Sequence, residues 1–396
     1  MKLQRLVLPG VTMIAICYGF ARFSFGLLLP DITRDLIMSD SVTGLISSIF
    51  YIAYCCTIVL SIVFTTSNGP RLMILSAGLS AFIGLVFMAV STNPVILSIG
   101  VFFAGASTGL VSPPFGAAIS LWINEKDQGK ANTWINSGTS FGISLSGMGA
   151  LFLTSDWRLT YMLYAVLALG VFIWNFISIP KGTGTSDTIL RKGKLSIKGQ
   201  KGAAPLISAS LMLGFASAAF WTFSRSFLEA AGGYDDWFLS GFWIFIGIMG
   251  VLGGFSAIVV EKRGVSFAYK LSGIALSASP VILVYFPSSW LGVYGSAGLF
   301  GSSYIFLTGV LLIWGIRVFV SNASLGIGVP FLTLALGQVM GSTLAGLSIE
   351  AWGYAITFTL YGGIGFLSFL ISPGERKSSD YLEKWGWKIH ADYQKE

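Results

Sequence analysis

The chain has 396 residues, of which 54% are hydrophobic and only 10% charged, with 49 glycines besides. A water-soluble domain carries about 25% charged residues on its surface, so a soluble enzyme, a disordered protein and a nucleic-acid module are excluded. The net charge of +7 therefore needs an explanation other than a nucleic-acid partner.

A membrane-spanning helix takes about 20 apolar residues. Apolar runs broken by charge, proline or polar clusters predict twelve helices in an all-α membrane protein, near 6–29, 41–65, 71–90, 95–121, 132–153, 158–179, 204–228, 237–259, 266–286, 290–314, 319–347 and 353–371. The first run ends at Pro30-Asp31 without a small-residue cleavage site, so a retained helix is expected. Pro113-Pro114 should bend the fourth helix, and a bend is also expected at Gly328-Val329-Pro330. Between the sixth and seventh runs, residues 181–203 read as a basic linker. It divides the chain into one six-helix unit over 1–180 and another over 204–373, and a polar tail follows over 374–396. Trp385 and Trp387 in that tail are compatible with a short interfacial helix.

Charge gives the orientation. With the N-terminus cytoplasmic, twenty Lys and Arg fall on the inner side and only Arg34 and Arg158 on the outer side. That asymmetry places both termini in the cytoplasm of a cell-membrane protein. It also assigns the basic balance to lipid headgroups.

The only histidine is His390, near the end of the tail, and the cysteines Cys17, Cys55 and Cys56 lie inside apolar runs. No metal site, disulfide framework or histidine-based nucleophile is expected, and so no enzyme. No GxxxxGK[ST] phosphate loop occurs.

Six helices plus six invite a search for a repeat. A shift of 195 places Gly264 on Gly69, Gly273 on Gly78, Gly337 on Gly142 and Trp352 on Trp157; a shift of 203 places Arg225 on Arg22. Asp156-Trp157-Arg158, the loop Trp122 to Lys130 followed by Gly138 and Gly142, and Glu261-Lys262-Arg263-Gly264 together resemble the major facilitator superfamily over nearly the whole chain. The first-half counterpart of the last motif, Thr66 to Arg71, lacks its acid. The stretch Tyr18 to Pro30 is similar to bacterial carriers of the YbfB/YjiJ type. The resemblance implies two pseudo-symmetric bundles of six helices working by alternating access as a monomer, with no cofactor and no metal.

Arg22 and Arg225 stand inside apolar runs, where a charge costs at least ~2.5 kcal/mol and marks a substrate or ion path. If the halves are related by symmetry, the two guanidiniums converge on one cavity and favour an anion; the structural alternatives are Arg225 snorkelling outward or pairing with Glu229, and Arg22 clamped on backbone carbonyls or an acid. Organic-anion carriers of the superfamily, which this pair resembles, place arginines on the first and seventh helices. Tyr18 and Trp221 each precede an arginine by one turn and are candidate walls. Asn132, Asn136 and Ser140 share a face of the fifth helix, and Asn136 is a further substrate candidate. Tyr51 and Tyr54 share a face of the second helix, while Asn322 and Gln338 are the notable polar residues of the eleventh; helix–helix hydrogen bonds are the simpler role for all of these. Glu229 and Asp31 are the coupling candidates. Gly138/Gly142 and Gly250/Gly254 are expected to form a sliding contact between the bundles. A carrier of a small organic anion, exchanging it or moving it with protons, is the leading expectation. A proton-coupled exporter of amphipathic drugs and a non-transporting membrane receptor are the alternatives.

Overall fold

The computed structural model describes residues 3–152, 156–181, 200–320, 323–371 and 373, and all regular structure among them is helical. In chain order the helices are α1 (Leu3–Asp35), α2 (Asp40–Asn68), α3 (Pro70–Ala89), α4 (Pro94–Trp122), α5 (Glu125–Phe152) and α6 (Trp157–Ser178). The second set is α7 (Ala203–Ala231), α8 (236–263), α9 (265–285), α10 (Trp290–Val318), α11 (323–352) and α12 (354–367). Twelve helices are thus observed where twelve apolar runs are read. Residues 182–199 of the linker expected at 181–203 lie outside the described residues, as do Asn322, Trp385 and Trp387.

Two boundaries differ from the hydropathy reading for a local reason. α5 begins at Glu125, not near 132, because Glu125 and Asp127 favour a helix N-terminus although they are polar. α1 is longer at both ends and accommodates Pro9 and Pro30 within it. α11 runs through Pro330 without leaving helical geometry; the break falls at Gly353, which separates it from α12. Helix α4 likewise runs through Pro113 and Pro114.

The even-numbered helices start at one end of the molecule, where Ser39, Asn93, Asp156, Asp235 and Ser289 cap five of the six. Asn93 accepts from Val95 and Ile96 N–H at 3.0 Å, and Asp156 accepts from Arg158 N–H at 2.9 Å. These caps explain part of the acidity of that end, since orphan N–H groups at a helix start favour carboxylate and hydroxyl oxygens. The opposite, basic end holds Arg71, which donates to the last carbonyls of α6 at Phe176 (2.8 Å) and Ile179.

The repeat is visible in the packing. α1 against α5, α2 against α4, and α3 against α4 and α6 recur as α7 against α11, α8 against α10, and α9 against α10 and α12. Gly69 (φ 80°, ψ 163°) and Gly264 (φ 85°, ψ 163°) turn the chain identically after α2 and α8, in a region that residues with a side chain avoid. Gly142 packs on the carbonyl of Ala15, and Gly337 on that of Leu211. All four glycines obey the shift of 195. The halves meet through α1 on α7, α2 on α11 and α5 on α8.

Large apolar side chains cover the outside, as lipid contact demands. On α5, Trp134, Phe141, Leu145 and Phe152 are exposed on one face. At about 100° per residue, Asn132, Asn136, Ser140 and Gly147 lie on the opposite face, with Ser144 at its edge. Near the acidic end that second face is packed on α8, where Gly147 meets Ile244 and Ser144 meets Gly247. Near the basic end Asn132 and Asn136 are exposed, and a Cβ added at Gly254 of α8 would touch nothing. Between α5 and α8 the halves are therefore joined at the acidic end and parted at the basic end, whereas α2 stays on α11 as far as Ile62 against Gly328.

Candidate functional site

The site begins with a local irregularity. Residues Ala15–Phe23 of α1 are wound more loosely than an α-helix, and the Ser24 N–H reaches back to the Gly19 carbonyl. Such widened turns are frequent at functional positions. Here Gly19 lies against the backbone of Gly142, with no room for a side chain, and the loosened turn carries Arg22 into the space between the halves.

Arg22 is 9% exposed and enclosed by aromatic rings. Its guanidinium carbon stands 4.8 Å from the ring centre of Phe23, 5.2 Å from Tyr51, 5.4 Å from Phe50, 5.6 Å from Tyr54 and 5.7 Å from Tyr18. Cation–π attraction of about 0.5–1 kcal/mol per ring, more when desolvated, offsets part of the cost of burying the charge. Its Nη2 donates to Gln338 Oε1 at 3.0 Å, and Gln338 Nε2 in turn donates to Tyr304 OH at 3.1 Å and Ser217 Oγ at 3.4 Å. Among the described residues no carboxylate forms an ion pair with Arg22, and its Nε has no partner. A cation held by a neutral amide and aromatic faces is poised to accept an anion.

Beside it lies a cavity of about 20 Å³ lined by Arg22, Phe23, Ser47, Phe50, Tyr51 and Trp221, among others. Trp221 is 3% exposed, with its ring 4.0 Å from that of Phe23 and edge-on to Tyr304. Tyr18 closes the other side and shares a hydrogen bond with Ser112 at 3.0 Å.

The two arginines do not converge. α1 and α7 cross where Gly26 abuts the Trp221 carbonyl, and 26 and 221 are related by the shift of 195. Arg22 lies one turn from the crossing toward the basic end and Arg225 one turn toward the acidic end, an axial separation of about 12 Å. The shift of 203 is therefore the wrong register for these helices. The counterpart of Arg22 is Ser217, which meets it on Gln338; the counterpart of Arg225 is Pro30. Arg225 is 3% exposed and donates from Nη2 to Asp236 Oδ1 at 3.3 Å, where α8 begins. Trp221, one turn before Arg225, belongs to the Arg22 cavity.

The coupling candidates lie outside that cavity, at the acidic end. Arg34 bonds both Asp31, at 3.3 Å, and Glu229 of the other half. Ser41 with Glu350 and Asp40 with Tyr354 (3.2 Å) add two more links between the halves there. Asn136 donates to Asn132 Oδ1 at 3.0 Å. Since Gly142 packs between the levels of Ala15 and Gly19, Asn136 sits about 17 Å from Arg22 along the axis, in the basic-end cleft beside α8. The amide that reaches Arg22 is Gln338.

The glycine pairs also need correction. Gly138 and Gly142 pack on Val11 and Ala15 of α1, within their own half, and Gly254 is open. Only Gly250, facing Ser140 Oγ, belongs to the contact between halves, which is otherwise built from Ser144, Gly147, Ile244 and Gly247. Sequence spacing finds small residues but not the helix they face. Phe23, Ser47, Phe50 and Tyr304 escaped notice because nothing in an apolar run separates a cavity aromatic from a packing one.

The sequence pattern of the Major Facilitator Superfamily matches residues 11–329. The chain is 26% identical over 373 residues to the transcription regulatory protein OpdE of Pseudomonas aeruginosa, covering 88% of this chain and 89% of that protein. It is 24% identical over 385 residues to the hexuronate transporter of Bacillus subtilis, with the same coverage of 88% and 89%. Among solved structures, the nucleoside transporter NupG superposes with a TM-score of 0.72 at 12% identity, over 93% of this chain and 98% of that one. A point mutant of NupG superposes with a TM-score of 0.75, over 92% and 98%.

Proposed function

Because the chain belongs to the Major Facilitator Superfamily and is a multi-pass secondary transporter rather than an enzyme, we propose that its cargo is a small organic anion held by Arg22. The observation that carries this reading is the burial of a permanent cation midway along α1 with no carboxylate partner among the described residues. Leaving such a charge unpaired in an apolar interior is costly, and an anionic cargo supplies the missing partner. A relative named as a transporter of hexuronate, a carboxylate, supports the same class.

The two units, 1–180 and 204–373, rock about this site, joined by the linker 181–203 and followed by the tail 374–396. The basic end faces the cytoplasm of the cell membrane by the charge asymmetry of the loops, so the parted cleft is the inward opening. The carrier exchanges one anion for another or moves an anion with protons. Loss of all coupling in Glu229→Gln, with flux retained, would overturn plain exchange.

Counterflow in proteoliposomes tests the reading. Vesicles preloaded with carboxylates or phosphates should accumulate the matching labelled anion, and Arg22→Gln should abolish that accumulation. Flux of cationic dyes unaffected by Arg22→Gln would refute it in favour of a drug exporter. Anion binding without any flux would point to a receptor.

A further inference from the structure

Arg22 is held from across the molecule. Its Nη2 donates to Gln338 Oε1 at 3.0 Å, and Gln338, fully buried, stands on α11 in the other half. The amide is aimed there by its own half. Its Nε2 donates to Tyr304 OH on α10 at 3.1 Å and to Ser217 Oγ on α7 at 3.4 Å, which leaves the oxygen toward the guanidinium. Turned over, the amide would set its NH2 against the N–H groups of Arg22, donor against donor. The five rings that enclose Arg22, those of Tyr18, Phe23, Phe50, Tyr51 and Tyr54, stand instead on α1 and α2, in its own half.

Space decides what an arriving anion must do. The cavity beside Arg22 measures about 20 Å³, close to what one water needs, and a carboxylate is larger than that. An anion therefore reaches Arg22 only by displacing a present neighbour. Anions take their place along the N–H directions of a guanidinium, and along Nη2–H that place is filled by Gln338 Oε1. The amide oxygen is a neutral acceptor, and a hydrogen bond between two ionised groups is the stronger one, so the exchange favours the anion. The same exchange cuts a hydrogen bond between the halves.

We propose that Gln338 is a positioning residue that stands in for the cargo: its amide oxygen holds the anion's place on Arg22, the cargo binds by displacing it, and its return expels the cargo. Gln338 thereby weakens binding, speeds release and ties occupancy of Arg22 to a bond between the halves. This rests on the assignment of Arg22 as the anion-binding residue.

The test is calorimetric titration of the full-length protein in lipid nanodiscs with glucuronate, gluconate, succinate and inorganic phosphate, then counterflow in proteoliposomes of each probe that binds. At least one probe should bind the wild type and be lost in Arg22→Gln. Gln338→Met keeps the volume and removes the acceptor, so it should bind that probe about tenfold or more tighter. Its KM and kcat should fall together, because no amide returns to expel the anion. Gln338→Glu sets a built-in carboxylate on Arg22, with the hydroxyls of Tyr304 and Ser217 reversing to donate to it. It should lose probe binding and melt no lower than the wild type; combined with Arg22→Gln it strands a buried carboxylate and should melt lower than either single variant. Ser48→Ala is the control: it removes a bond between the halves, from Ser48 Oγ to the Val339 carbonyl at 2.9 Å, and should leave the affinity unchanged. Equal or weaker binding in a folded Gln338→Met would overturn the proposal and leave the anion reading standing. Full probe binding by Gln338→Glu, which decides alone if Gln338→Met does not fold, would do the same, as would equal tightening in Ser48→Ala. Binding indifferent to Arg22→Gln, or no probe bound by either the wild type or Gln338→Met, would remove the anion reading and the proposal with it.

Discussion

The contact between α5 and α8 gives the sharpest mechanical prediction. At Gly247 an added Cβ would run into Ser144 Oγ and lie 2.5 Å from Ser144 N and 2.8 Å from Ser140 O. Two of those neighbours are backbone atoms of the other half, so relief requires the halves to separate by several tenths of an ångström or more. Overpacking of this kind typically costs about 1–3 kcal/mol. Only the arrangement closed at the acidic end bears that cost; an arrangement opened there is relieved of it. Gly247→Ala should therefore shift the equilibrium between the two by roughly five- to 150-fold, at 1.4 kcal/mol per tenfold. Nitroxide labels on Ile37→Cys and Trp237→Cys, at residues 91% and 66% exposed, would report the distance across the acidic end by electron–electron resonance. Cys17, Cys55 and Cys56 would first be replaced by serine or alanine. The long-distance population should grow in Gly247→Ala and stay unchanged in the control Gly254→Ala, where the added methyl meets nothing. A folded Gly247→Ala protein with an unaltered distance distribution would refute the assignment of this contact as the closed-state seam.

Three further outcomes follow from particular contacts. Gly69→Ala and Gly264→Ala force a side chain into a glycine-only region and should each lower stability by about 1–3 kcal/mol, read as a fall in melting temperature; a wild-type melt for Gly264→Ala would contradict the strain argument. Asp236→Asn leaves the buried Arg225 without its acid and should destabilise by about 1–3 kcal/mol, discounted because Asp236 is 54% exposed; the double variant Arg225→Met with Asp236→Asn should recover most of the loss, and a neutral Asp236→Asn would show the pair to be dispensable. Arg34→Ala removes a link whose side chains are 65% and 35% exposed, so it should change the acidic-end distance distribution by less than about 1 kcal/mol, and the change should vanish in molar salt. A salt-insensitive change as large as that of Gly247→Ala would mean that the ionic contact, not the packed seam, holds this end shut.

The helices and their number were legible because lipid imposes long uninterrupted apolar runs, and the loop glycines Gly69 and Gly264 carried the register of the repeat. The register of the arginines was not legible. Two charged residues in two helices can be aligned by any shift, and only the crossing of α1 on α7 at Gly26 and Trp221 shows that 195, not 203, applies. For Asn136 the helical period gave the correct face of α5 but no depth, which is set by how far α5 slides along α1. Gln338 was noticed as a polar residue but not as the partner of Arg22, because that pairing depends on α11 of one half leaning over α1 of the other.

The meeting of Gly26 with Trp221 also bears on how such a molecule arises. Both occupy the one place on α1 and α7 that the rotational symmetry maps onto itself, so a dimer of identical single-length chains would be obliged to put the same residue on both sides. A tryptophan at position 26 would strike the carbonyl of Trp221, and two glycines would leave the indole's share of the wall missing. Fusing the copies into one chain frees each to mutate alone, and this lopsided pair, a glycine pressed on the main chain of a tryptophan, is one that two identical chains cannot present.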